Sequence, residues 1–105
     1  VKEIGVAELA AMRDAGEEFV LLDVREPDEL ERAAIAWALP IPMGEVPERL
    51  AELPADRPIA VLCHGGFRSA RVTAFLNANG FPQAVNVAGG IDAWSHTIDP
   101  SVPVY

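Results

Sequence analysis

The sequence predicts an α/β fold: a five-stranded, mostly parallel sheet with helices on both faces, making three layers. Three observations carry that expectation. Ile59 to Leu62 is a short unbroken apolar run, and Phe19 to Val24 is nearly one, so both read as strands buried on both faces. After Ile59 to Leu62 the pattern turns helical, with Val72, Phe75, Leu76 and Asn79 at i, i+3, i+4 and i+7. Strands that alternate with helices favour right-handed crossovers and parallel pairing.

Each element follows from local chemistry. A short strand near Glu3 to Gly5 leads into a helix on Val6, Leu9, Ala10 and Arg13, closed by Gly16. Phe19 to Val24 is the second strand, with Asp23 its anomaly, because a carboxylate at the end of a buried strand must find partners. A turn or cap and a supporting role beside a site are both open to Asp23. Pro27 suits a first helical turn, and Asp28 and Glu29 suit the positive end of that short helix. Trp37 is open to core filling or an exposed contact patch, with core filling favoured. Ala38 to Ile41 is the third strand, placed at an edge because Pro40 cannot donate to a ladder. Val46, Leu50 and Leu53 predict a helix from about Gly44 that Pro54 stops.

Ile59 to Leu62 is the central strand, and the helix after Cys63 ends where Gly80 takes a left-handed cap and Phe81 folds back on Leu76. Ala84 to Val87 is the last strand. Gly89 and Gly90 turn the chain into a final helix carrying Trp94, with tight packing as the reason for the glycines. His96 reads as exposed, and residues 99–105 as a tail lying over the surface.

At 105 residues, half of them hydrophobic, the chain is expected to form one domain over residues 1–105. A single cysteine excludes an internal disulfide, no Cys/His cluster has zinc-ligand spacing, and no cofactor or metal is expected. With 8 Lys and Arg against 16 Asp and Glu, the net charge of −8 argues against a nucleic-acid partner. No stretch approaches the ~20 apolar residues of a membrane span, so no membrane partner is expected and a cytoplasmic location is the default.

The chemistry concentrates at Cys63. It sits where a strand ends and a helix begins, in front of N–H groups that have no intrahelical partner. A thiolate is stabilised there, below the ordinary value of about 8.5. Gly65 and Gly66 are expected to take positive φ and turn N–H groups inward, and Arg68 to add a cation. The result is a small anion-binding cradle with a nucleophilic sulfur at its floor.

The loop Cys63-His64-Gly65-Gly66-Phe67-Arg68-Ser69 resembles the active-site loop of the rhodanese-like sulfurtransferases, Cys-x-x-x-x-Arg, commonly Cys-His-x-Gly-x-Arg-Ser. Asp23-Val24-Arg25-Glu26-Pro27-Asp28-Glu29 resembles the family's Asp-x-Arg-x-Pro-x-Glu signature, and Val87 to Trp94 its C-terminal one. Ala33-Ala34 and Trp37 depart from the family's Gly-His-Ile-x-Gly-Ala pattern. The resemblance implies strand order 3-2-4-5-1, which places Pro40 at an edge and sets Asp23 and Cys63 at neighbouring strand ends, where the chain reverses direction and ligands bind.

It also implies sulfane-sulfur transfer through a Cys63 persulfide. The donor is a small anion such as thiosulfate, and the acceptor is cyanide or a thiol. Cysteine desulfurases and other sulfur-carrier proteins are the implied protein partners. The backbone of His64, Gly65, Gly66, Phe67, Arg68 and Ser69 would bind the donor, with Asp23 and Arg25 supporting from behind. Arg68 either contacts the donor or braces the loop. The alternatives are a phosphatase or arsenate reductase of the same fold, a non-catalytic binding module, and a redox thiol. Cys63 to Arg68 forms a six-residue loop, one shorter than in the related cell-cycle phosphatases, which favours sulfur over a phosphoryl group.

Overall fold

A computed structural model describes residues Val1 to Tyr105. Its strands are β1 (Glu3–Ile4), β2 (Val20–Asp23), β3 (Leu39–Pro40), β4 (Ile59–Leu62) and β5 (Ala84–Val87). Its α-helices are α1 (Val6–Asp14), α2 (Pro27–Arg32), α3 (Phe67–Ala78) and α4 (Gly90–Thr97). The sheet order is β1-β5-β4-β2-β3, the expected order read from the other edge. All four neighbouring pairs run parallel, so the sheet is wholly rather than mostly parallel.

The alternation along β4 divides the core in two. Ile59, Val61 and Cys63 join Leu22, Val46, Leu53, Val72 and Leu76 on one face. Ala60 and Leu62 join Leu9, Leu21, Ile91 and Trp94 on the other. Every residue of β4 is at most 1% exposed, and each Ile, Val or Leu buried this way contributes about 1.5–3 kcal/mol. That double burial makes β4 a rigid stem for the residues that follow it.

The segment after β3 differs from its expected form. Met43–Glu48 and Leu50–Glu52 are two short 3-10 helices rather than one α-helix. Pro47 lies inside the first, where its ring would clash with the carbonyl four residues back in an α-helix, and the chain closes tighter bonds such as Arg49 N–H to Val46 O at 3.1 Å. Val46 and Leu53 still reach the core.

Other expectations survive in detail. Gly80 has φ of +94° and the Phe81 N–H reaches the Leu76 carbonyl at 3.0 Å, ending α3 on a left-handed cap. Trp37 is half-buried, edge-on to Phe19 and Trp94 at centroid distances of 5.9 and 6.1 Å. Arg13 lies over its ring. His96 is exposed. The C-terminal stretch is irregular but is more than a surface tail: Val102 is buried among the side chains around α4, and Tyr105 reaches back to the end of the sheet that bears Cys63. No helix is long and apolar enough to cross a membrane.

Candidate active site

Cys63 follows β4 directly and is 1% exposed. Its Sγ does the work of a helix-capping oxygen. The Gly66 N–H donates to it at 3.1 Å and the Ser69 N–H at 3.4 Å, satisfying groups at the start of α3 that the helix itself leaves free. The Ser69 hydroxyl lies 3.2 Å from the same sulfur. Burial pushes the thiol up, but the Ser69 hydroxyl and the N–H groups of Ser69, Gly66 and Gly65 outweigh it and leave Cys63 below the ordinary thiol value.

Only one of the two loop glycines is there for its backbone. Gly66 has φ of +107° and is the residue that turns the chain into α3, whereas Gly65 keeps a negative φ, contrary to expectation. The turn is held from β5: Asn86 Nδ2 donates to the Gly66 carbonyl at 3.1 Å and to Glu3 Oε2 at 2.8 Å. From the far side, the first N–H groups of α4 grip the loop, Ile91 to Cys63 O at 2.9 Å and Asp92 to His64 O at 3.1 Å. Gly90 permits that approach, since a Cβ there would stand 2.5 Å from the Cys63 carbonyl oxygen. The Gly89-Gly90 pair is thus a packing device, as the sequence suggested.

Arg68 does not turn into the cradle. Its guanidinium is paired with Glu29 of α2, Nη1 to Oε1 at 2.6 Å and Nη2 to Oε2 at 2.9 Å. The Arg68 hydrogen bonds, set against partial burial, hold the Glu29 carboxyl down to about 2. Phe67 projects outward and is 85% exposed. Asp23 and Arg25 lie beneath the cleft rather than on its wall, at 1% and 0% exposure. Arg25 Nη2 meets Asp23 Oδ2 at 2.7 Å and Ala33 O at 2.9 Å, with Nε on both Asp23 oxygens, and Asp23 Oδ1 also accepts the Arg25 N–H at 3.1 Å, so Asp23 both closes a turn two residues on and anchors the Arg25 side chain.

Three participants have no counterpart in the sequence reading of the site. Glu29 lay in plain view within the Asp-x-Arg-x-Pro-x-Glu run, and the Arg68 partner it supplies is its purpose. Asn86 is a polar residue in an apolar strand, a signal of the kind that marked Asp23. Tyr105 carried no signal in sequence. Its ring stacks on His64 at 4.1 Å and 11°, and its hydroxyl joins Arg25 Nη1 at 3.0 Å and Glu29 Oε2 at 2.7 Å.

The chain has relatives over nearly its whole length. The family model for the rhodanese-like domain matches residues 5–97. YtwF of Bacillus subtilis is 39% identical over 100 residues, covering 95% of this chain and 96% of the relative. A protein of Allochromatium vinosum named sulfurtransferase is 36% identical over 95 residues, covering 90% and 89%. Among solved structures, a rhodanese-like domain protein from Staphylococcus aureus is similar at a TM-score of 0.87 and 33% identity, over 100% of this chain and 99% of that one. The chain belongs to the rhodanese-like domain family.

Proposed function

We propose that this chain transfers sulfane sulfur with Cys63 as the carrier. The observation that supports this reading best is the set of donors on Sγ: two N–H groups and a hydroxyl on one buried sulfur, enough to favour the thiolate without a separate base. The thiolate attacks the outer sulfur of a donor such as thiosulfate. An Sγ–S bond forms as the donor's S–S bond breaks, and sulfite leaves with the electron pair. The terminal persulfide sulfur carries the negative charge, facing the N–H groups of His64 to Ser69 as an oxyanion would. Cyanide in an assay, or a thiol in a cell, then takes that sulfur and restores the thiolate. Both steps balance with donor and acceptor alone.

On this reading the physiological donor is a low-molecular-weight persulfide or a cysteine desulfurase, and a sulfur-carrier protein or small thiol receives the sulfur. A reducing, cytoplasmic setting suits a lone reactive thiol. The test is steady-state kinetics with thiosulfate and cyanide both varied. Parallel reciprocal lines, thiocyanate as product, loss of turnover in Cys63→Ser and negligible hydrolysis of aryl phosphates are expected. Efficient phosphate hydrolysis without thiocyanate would replace this reading with a phosphatase of the same fold.

A further inference from the structure

We propose that Glu29 sets the charge preference of the Cys63 site: by holding Arg68 in a two-point ion pair it withdraws the loop's cation, so that sulfur donors with one negative charge are favoured over dianions. The inference rests on the sulfur-transfer reading and specifies its substrate class.

Both carboxylate oxygens of Glu29 are committed twice. Oε1 takes Arg68 Nη1 at 2.6 Å and the Glu26 N–H at 3.1 Å, while Oε2 takes Arg68 Nη2 at 2.9 Å and the Tyr105 hydroxyl at 2.7 Å. A carboxylate held from four sides, at 15% side-chain exposure, is a fixed partner rather than a passing one. Tyr105 is fixed in turn by the Arg25 guanidinium and by its stack on His64. The second cation behind the loop is cancelled as well, since Arg25 is bound along its Nε and Nη2 edge by Asp23. What remains to meet a donor is a set of neutral dipoles, the N–H groups and the Ser69 hydroxyl, on a molecule of net charge −8. Dipoles of this kind suffice for one charge, but the second charge of a dianion finds no free cation in the loop.

The test compares KM for thiosulfate, a dianion, with KM for methanethiosulfonate, a monoanion that yields the same sulfane sulfur, with cyanide as acceptor. Glu29→Gln keeps the shape and an acceptor for Arg68 while freeing its charge. It should lower the thiosulfate KM relative to the methanethiosulfonate KM by at least about fivefold, the size expected of one released charge. Asp28→Asn makes the same charge change on an exposed neighbour in α2 and should leave the ratio near its wild-type value. Glu29→Gln combined with Arg68→Gln should return the ratio to wild type. If Glu29→Gln fails to fold, Tyr105→Phe, which removes one of the four holds on Glu29, should move the ratio the same way by about twofold. Equal changes in both KM values, an equal effect of Asp28→Asn, or a gain that persists without Arg68 would overturn the proposal. Wild-type protein that forms persulfide from both donors, with a ratio Glu29→Gln leaves unmoved, defeats this inference alone. Failure of both donors to load Cys63 defeats the sulfur-transfer reading beneath it.

Discussion

The sulfur of Cys63 is governed by Ser69 more than by Arg68. Sequence placed a cation at the end of the loop and expected it to lower the thiol, but that cation is spent on Glu29 at 2.6 and 2.9 Å. Ser69 instead supplies both a hydroxyl and an N–H to Sγ, against the upward push of burial. With only one thiol in the chain, alkylation rate against pH should show a single midpoint below about 8.5. Ser69→Ala should raise that midpoint and slow transfer at neutral pH roughly tenfold, as befits a hydrogen bond to an ion worth about 1.5 kcal/mol. Arg68→Gln should move it far less. The sign also fixes a stability trend. A folded value below the unfolded one makes the thiolate's contribution full above the unfolded value and lost as pH falls through the folded midpoint. Wild type should therefore gain stability over Cys63→Ser as pH rises from 7 to about 9, read by chemical denaturation.

At the scale of elements, the loop is a joint between β4, α3 and α4, and its stiffness comes from backbone contacts. The α4 end lies close enough to the Cys63 and His64 carbonyls that only glycine fits at position 90, where φ is +59°. Gly90→Ala should cost about 2 kcal/mol or more in denaturant unfolding and slow transfer with it, because relief of the clash must move the carbonyls that carry the Cys63 loop. A variant as stable and as active as wild type would show that α4 does not set the loop. The strands and α3 were legible because apolar runs and helical spacing are local signals. The paired 3-10 helices were not, since the α-helical spacing of Val46, Leu50 and Leu53 carries no sign of the break at Arg49 between the two short helices or of the ring clash by which Pro47 disfavours an α-helix.

For the molecule as a whole, topology brings together residues that sequence leaves far apart. Cys63 and its loop were readable because their chemistry lies within seven residues. Glu29 stood in a readable run, but its partners could not be read from it, because a contact between residues 29, 68 and 105 is made by the fold and leaves no local pattern. The same scale governs approach of the substrate. A surface of net charge −8 around a site with paired cations should repel thiosulfate at long range. Raising ionic strength with a weakly binding salt should then increase kcat/KM for thiosulfate, by a few-fold between about 0.01 and 0.15 M, as the Debye length shrinks from about 30 to 8 Å. A fall instead would mean that an unpaired cation steers the donor.

Each of these transfer outcomes requires that Cys63 carries the sulfur. Intact mass measurement after brief incubation with thiosulfate tests it most directly. Wild type should gain the mass of one sulfur atom, lose it on addition of cyanide with one equivalent of thiocyanate released, and Cys63→Ser should gain nothing. Turnover to thiocyanate without any added mass on wild type, or with Cys63→Ser still active, would contradict the account.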